Sequence, residues 1–318
     1  MRLIEGLDAL LALDLVATYG ESLPSRSAVA VGVFDGVHLG HQRLLHQLLE
    51  MASALQAVPT VVTFANHPDL LLRGEAPPVL CSVPHRLRLL RRAGVERLVL
   101  LTFEERLQHL TPREFAERVL VRSLRARGLL LGYDSALGKD RAGTPACFRA
   151  LGDELGFEVR TGTPFEVDGQ PVSSTAIRAA IAGGDLTLAH RFLGRFPGAF
   201  GTVVHGDARG RALGFPTANV VPEPAVLPPP GVYAVEAILD GRAFAAAANL
   251  GTRPTFDGAR RDPLLEVHLL DFEGDLYGRE LEITFRRLLR PERRFADADE
   301  LRAQIGRDVA AARELLRS

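Results

Sequence analysis

The apolar run Ala28-Val-Ala-Val31 passes without a break into Gly32-Val-Phe-Asp-Gly-Val-His-Leu-Gly-His41, and no other stretch restricts the fold as much. The run reads as a buried strand, and Gly32 and Gly36 mark a turn after it. His38 and His41 stand three apart, so on a helix they share one face. Leu44, Leu45, Leu48 and Leu49 follow at helical spacing and predict a helix that starts near His38. The unit is strand, glycine turn, helix, with two imidazoles at the helix N-terminus. That end carries unpaired N–H groups and about half a positive charge, so it attracts phosphate. Histidines there can donate hydrogen bonds to charge developing on phosphate in a transition state. A lone histidine would read as a local cap; a pair, with Gly36 and Gly40 opening space, reads as a ligand site.

The first half continues the alternation. Ala28–Val33, Val58–Phe64, Val95–Leu101 and Gly128–Gly132 read as strands, and His38–Ala54, Pro84–Ala93 and Thr111–Arg127 as helices. Leu7 to Val16 reads as a helix on the surface of this domain. Such alternation predicts a parallel sheet covered by helices, with ligands beyond the carboxyl ends of the strands. The second half changes character. Ala199–Val204, Thr217–Val221, Val232–Leu239, Ala243–Leu250, Leu265–Asp271 and Leu281–Leu288 read as strands, with Asp240-Gly241 as a two-residue hairpin turn. A closing helix over Asp297–Leu316, striped by Leu301, Ile305, Val309 and Leu315, completes a small antiparallel barrel. The change falls near Thr187–Gly198, which predicts domains over 1–186 and 187–318.

With 318 residues the chain has room for two domains, and a 47% hydrophobic content supplies their cores. A net charge of -1 argues against a general nucleic-acid partner. Cys81 and Cys147 form neither a metal spacing nor a disulfide framework, which fits the cytoplasm. No apolar run approaches a membrane span, and Leu7–Val16 is a poor signal peptide because Asp8 and Asp14 interrupt it. Lys139, the only lysine, is followed by Asp140, so a Walker A loop is excluded. Phosphates must be met by backbone N–H groups, Arg, His and Mg²⁺.

Further stretches carry chemistry. Thr63-Phe-Ala-Asn-His67-Pro follows the second strand and sets His67 to meet a phosphate. Ser173-Ser-Thr-Ala-Ile-Arg178 puts hydroxyls at a helix start and a guanidinium one turn on, the elements of a phosphate clamp. His205-Gly-Asp-Ala-Arg-Gly-Arg211 is a glycine-rich basic loop able to cover phosphates. In Leu213-Gly-Phe-Pro-Thr-Ala-Asn219, Thr217 and Asn219 alternate on a strand and offer hard oxygens suited to Mg²⁺. Glu266, on a strand otherwise rich in apolar residues, is a candidate general base. His268 could share its face and reads as structural.

The first motif resembles the His-x-Gly-His signature of nucleotidyltransferases. In its longer form it resembles the adenylyltransferase half of bacterial bifunctional riboflavin kinase/FAD synthetases. Pro216-Thr-Ala-Asn219 resembles the riboflavin kinase signature, and the likeness runs from about Ala28 to Arg313. The resemblance implies phosphorylation of riboflavin to FMN and adenylylation of FMN to FAD, each with ATP and Mg²⁺. It implies nucleotide contacts at Gly32, Phe34, Asp35, Gly36 and His67, with Ser174, Thr175 and Arg178 on the β- and γ-phosphates. In the second half it implies nucleotide contacts at Gly206, Arg209, Gly210, Gly214, Thr217 and Asn219, with Glu266 as the base. Asp134, Asn249 and Thr255 are implied at the flavin. Two departures stand out: Asn66 replaces a usual proline, and Ser135 and Leu137 replace the aromatics of an Asp-Phe-x-Phe-Gly segment. The second motivates an alternative, a riboflavin kinase with a weak or altered adenylyltransferase half. A non-enzymatic flavin-binding regulator is the other alternative. The expected partners are small molecules, with the chain a monomer or weak homo-oligomer.

Overall fold

Residues 1–13, 26–133, 135–206, 210, 213–254 and 261–317 are described by a computed structural model of the chain. They fall into two units: Met1–Pro77 with Val83–Ser173, and Pro78–Ser82 with Ser174–Ser318.

The first unit contains β1 (Arg2–Glu5), α1 (Leu7–Leu11), β2 (Ser27–Val31), α2 (Leu39–Ala54) and β3 (Val58–Phe64). It continues through α3 (Pro68–Arg73), α4 (Val83–Arg92), β4 (Arg97–Leu101), α5 (Glu105–Gln108) and α6 (Pro112–Glu114). Then come β5 (Ala126–Leu131), α7 (Pro145–Leu155), β6 (Glu158–Thr161) and a hairpin of β7 (Glu166–Val167) and β8 (Gln170–Pro171). Strands β1 to β6 form a sheet in the order β1-β4-β3-β2-β5-β6, and every pair is parallel. Each residue of β2 and β3 is buried, as a sheet covered on both faces requires. Strands β3 and β4 lie to one side of β2 and β5 and β6 to the other, so the strand order reverses at β2. Its carboxyl end is the place where such sheets open a crevice for ligands.

Several sequence expectations for this unit need correction. The helix read over Leu7–Val16 is α1, which ends at Leu11, and residues 14–25 lie outside the described set. It lies on the domain surface as expected, with Asp8 and Ala9 exposed and with Leu7 and Leu10 packed in the core beside Ile4. The helix read over Thr111–Arg127 has its Thr111 capping box and α6, then runs as a π-helix over Phe115–Ser123. Arg125 takes a left-handed φ of 49°, which turns the chain into β5 at Ala126. Strands β1 and β6 and helix α7 were not expected. Both strands are four residues long and largely exposed, too short and too polar to show a period of two.

The second unit contains α8 (Ser174–Ala182), α9 (Leu186–Leu193), β9 (Gly198–Val204), β10 (Ala218–Pro222) and β11 (Gly231–Leu239). It ends with β12 (Arg242–Pro254), β13 (Arg261–Leu269), β14 (Glu280–Arg290) and α10 (Ala298–Leu316). The strands close into an antiparallel barrel in the order β10-β13-β12-β11-β14-β9. Asp240 and Gly241 both take positive φ and form the expected two-residue turn between β11 and β12. Thr217 stands just before β10 rather than within it. Helix α10 is capped by Asp297, and its Ala312 packs with Ala234 and Ala247 of the barrel. Small side chains on both partners let helix and barrel approach closely. The parallel α/β sheet and the antiparallel barrel with a closing helix are both as the sequence predicts.

Candidate active sites

The chain leaves β2 through a turn that folds tightly. Phe34, Gly36 and Val37 all have positive φ, at 52°, 74° and 41°. Two of them are not glycine, and their strain is held by packing: Phe34 is 1% exposed and Val37 3%. Helix α2 secures the turn, since Gln42 Nε2 donates to the Val37 carbonyl over 3.0 Å. His38 is the N-cap of α2, and its Nδ1 accepts the backbone N–H of His41 at 3.3 Å. A ring nitrogen that accepts carries no proton, so the His38 proton resides on Nε2. The rings of His38 and His41 stack with centroids 3.6 Å apart. Gly40 leaves room for this arrangement: a Cβ there would lie 3.2 Å from the His38 ring and press on it. Buried Asp35 completes the turn.

His41 Nδ1 is sealed from solvent and has no hydrogen-bond partner among the described residues. Its pKa is pushed well below the usual imidazole value, first by burial and then by the neighbouring His38 ring and the Arg86 charge. A neutral imidazole with an unused polar atom is poised for a ligand rather than for a structural bond.

Sequence reasoning missed Arg86. This α4 residue is 3% exposed, and its Nη1 donates to the Val33 carbonyl at 2.9 Å while Nη2 donates to the Phe64 carbonyl. Thr63 Oγ1 also donates to the Val33 carbonyl, at 3.0 Å. One signal was present: Arg86 shares a helix face with the buried Leu89 and Leu90. It was hidden in a helix that also carries Arg88, Arg91 and Arg92.

A cavity of about 690 Å³ opens beside the ends of β2 and β3. Gly32, His67, Phe64, Phe103, Phe115 and Leu137 line it, together with Ser135 and Gly138. Its aromatic walls therefore come from other segments than the one in which Ser135 and Leu137 replace the usual aromatics. Asp134 lies outside the described residues. His67 caps α3, its Nδ1 accepting the Asp69 N–H at 3.2 Å. Asn66, the other departure, clasps the backbone of Phe103: its Nδ2 donates to the carbonyl at 2.9 Å and its Oδ1 accepts the N–H at 2.7 Å. A proline could offer neither side-chain bond.

Ser174, Thr175 and Arg178 belong to α8 and so to the second unit. Arg178 Nε donates to the Pro78 carbonyl at 2.7 Å.

On the barrel, strand register makes the constellation. Asn219 of β10 pairs with Glu266 of β13, which pairs with Asn249 of β12. Cross-strand partners share a face, so the three form one row. Leu265 and Val267 point into the barrel core, and Glu266 lies on the opposite face. Asn219 is 6% exposed, and its Oδ1 has no partner among the described residues. Gly206 lies against it: a Cβ there would come within 2.1 Å of Asn219 Nδ2. Gly210 likewise faces Thr217, with 3.0 Å from a Cβ to Oγ1. The glycines of this loop are thus required by close approach. Gly214 takes a φ of 86° in the turn that leads to Thr217. Arg209 and Thr255 lie outside the described residues. His268 holds the approach to β10, its Nδ1 2.7 Å from the Pro216 carbonyl and its ring edge-on to Phe215. Asn249 Nδ2 donates to Glu292 at 3.4 Å, adding a second carboxylate that sequence reasoning missed.

Asn219 offers a buried amide oxygen without a donor among the described residues, and Thr217, two positions earlier, an exposed hydroxyl; both are hard oxygens of the kind that suits Mg²⁺.

The FAD synthetase family model matches residues 21–176, and the riboflavin kinase model matches residues 193–316. The chain is 42% identical to the bifunctional riboflavin kinase/FMN adenylyltransferase of Pseudomonas fluorescens, covering 91% of this chain and 93% of that one. It is 41% identical to the enzyme of the same name from Escherichia coli (strain K12), covering 90% and 91%. A crystal structure of a macrolide-efflux protein from Streptococcus pneumoniae superposes with a TM-score of 0.83 at 31% identity, covering 98% and 99%. Among the described residues no helix is long and apolar enough to cross a membrane. On the strength of both family models and of these identities across nine-tenths of its length, the chain belongs to the bifunctional riboflavin kinase/FMN adenylyltransferase family.

Proposed function

We propose that the chain phosphorylates riboflavin on the barrel and adenylylates the resulting FMN at the parallel sheet. The domains are assigned to 1–186 and 187–318, a boundary supported by family-model matches that end at 176 and resume at 193. The observation that carries the reading is a buried polar atom in each unit that has no partner among the described residues: His41 Nδ1 in one, Asn219 Oδ1 in the other.

In the first step Glu266 takes the proton of the riboflavin 5′-hydroxyl. The freed oxygen attacks the γ-phosphorus of ATP, and ADP leaves. Thr217 and Asn219 would hold Mg²⁺, which when bound neutralises charge on the ATP phosphates. Gly206, Arg209, Gly210 and Gly214 shape the cover over those phosphates, and Asn249 and Thr255 orient the flavin.

In the second step an oxygen of the FMN phosphate attacks the α-phosphorus of ATP. The bond to the β-phosphate bridging oxygen breaks and pyrophosphate leaves. His38, through its Nε2–H, and neutral His41 donate to the charge that grows on the α-phosphate. His67 meets a further phosphate oxygen. Gly32, Phe34, Asp35 and Gly36 give the turn its shape. The cavity walled by Phe64, Phe103 and Phe115 takes the flavin ring, and Asp134 is assigned to the flavin as well. No covalent enzyme intermediate is needed; positioning and charge stabilisation suffice. The protein works in the cytoplasm as a monomer or weak homo-oligomer, without a nucleic-acid partner.

Incubation of the pure protein with riboflavin, ATP and Mg²⁺, with flavins resolved by chromatography over time, tests the reading. FMN followed by FAD is expected. FMN alone would leave only the kinase, and unchanged riboflavin would favour a flavin-binding regulator.

A further inference from the structure

Two arginines are buried at opposite ends of the parallel sheet. Arg97, 2% exposed, sits at the amino ends, where its Nη1 donates to Ser27 Oγ at 2.7 Å and Ser27 Oγ donates to the Leu124 carbonyl at 2.6 Å. It ties the start of β2 to the start of β4, far from the carboxyl ends where ligands bind. Arg86 sits at those carboxyl ends. It joins two carbonyls that lie in different segments: Val33, inside the turn that leads to His38 and His41, and Phe64, the last residue before the turn that leads to His67.

We propose that Arg86 is a positioning residue for adenylyl transfer: its planar fork sets the spacing between the Gly32–His41 turn and the Ala65–His67 turn, and so aligns three imidazoles on one nucleotide. The inference rests on the adenylyl-transfer reading of the first unit. Three features support it. The fork reaches both carbonyls at once, which a single ammonium group on a flexible stem cannot do with the same geometry. The Thr63 hydroxyl reinforces the same Val33 carbonyl, so the bridge has a second strut. The Val33 carbonyl stands in a strained turn, between Gly32 and left-handed Phe34, where a small loss of restraint has room to spread. The Arg86 charge also helps keep His41 neutral, together with burial and His38.

The test uses the full chain and follows riboflavin phosphorylation and FMN adenylylation in the same preparation. Arg86→Met is expected to lower kcat for adenylylation about 10- to 100-fold, the scale of misplacing catalytic groups by about an ångström. KM for FMN should shift far less, and riboflavin phosphorylation should stay at its wild-type rate. Arg86→Lys, which keeps the charge and loses the fork, should recover only part of the loss. Arg97→Met is the matched burial control, expected to lower the unfolding midpoint without changing kcat per folded molecule. Wild-type adenylylation by folded Arg86→Met or Arg86→Lys would overturn the proposal. So would a kcat loss per folded molecule in Arg97→Met equal to that in either Arg86 variant. If Arg86→Met does not fold, the Arg86→Lys comparison decides. If the wild-type protein makes FMN and no FAD, the adenylyl-transfer reading itself fails, and the proposal falls with it.

Discussion

The backbone N–H of His41 donates to Nδ1 of His38, and the same two side chains stack with ring centroids 3.6 Å apart. One contact thus does two things. It caps α2, and it fixes the His38 proton on Nε2, away from the helix. Stability and catalysis are combined in one imidazole, and the two can be separated by substitution.

Asparagine is as good a helix cap as any residue, but it lacks an imidazole. His38→Asn should therefore leave the unfolding midpoint close to wild type and lower FMN adenylylation by about 10²- to 10³-fold, the effect of removing one oxyanion donor. His38→Ala should show the same loss of activity and an additional destabilisation of about 1 kcal/mol from the lost cap. Thermal unfolding and an FAD assay on both variants check the pair.

His41 is neutral in the folded protein, its pKa held below the usual 6.5 mainly by burial. Once pH falls below that value, the unfolded chain binds a proton that the folded one refuses. Stability is therefore complete above the unfolded value of 6.5 and declines as pH drops from there toward the lower folded value. Urea unfolding between pH 8 and 5, an interval of about 1.5 units on either side of imidazole titration, should show a shallower decline for His41→Asn than for wild type.

Glu266 and the His38/His41 pair belong to different units, so their effects should not mix. Glu266→Gln should cut FMN formation by at least about 10²-fold and leave FAD formation from supplied FMN intact. His41→Ala should do the reverse. Parallel loss of both activities in either variant would contradict the two-site assignment.

Gly206 has no room for a methyl group, because its Cβ would meet Asn219 Nδ2 at 2.1 Å. Gly206→Ala should displace either the loop or the Asn219 amide. Riboflavin phosphorylation should fall by about 10-fold or more, on the scale of a misplaced catalytic contact, while adenylylation persists. Steady-state kinetics of both reactions checks it.

Arg290 and Asp308 form a bidentate ion pair between β14 and α10, with the shortest contact at 2.8 Å and Asp308 buried. The Arg290 Nη1 also reaches the Pro291 carbonyl, one residue before Glu292. Removing the carboxylate strips the partly buried Arg290 of its charge-assisted hydrogen bonds and leaves it the Pro291 carbonyl, at a cost of about 1.5–3 kcal/mol. Asp308→Ala should lose stability of that order in urea denaturation and weaken riboflavin phosphorylation through the freed Glu292 segment.

Local pattern carried much of this protein. The apolar run before Gly32 and the leucines after His41 make strand, turn and helix by periodicity alone. Asp240-Gly241 supplies the positive φ angles of its hairpin, and the six barrel strands show as short apolar runs broken by turn residues. Motif spacing placed His38 beside His41 and Thr217 beside Asn219, since these partners are near neighbours in the chain. Tertiary structure decided the rest, because each remaining feature joins residues remote in sequence. Arg86 meets Val33 across 53 positions, a contact no local window contains. The row Asn219, Glu266, Asn249 exists only because β10, β13 and β12 pair in one register; a shift of one residue would turn Glu266 into the core. The neutral state of His41 arises from burial, and burial is a property of the assembled fold rather than of any stretch of its letters.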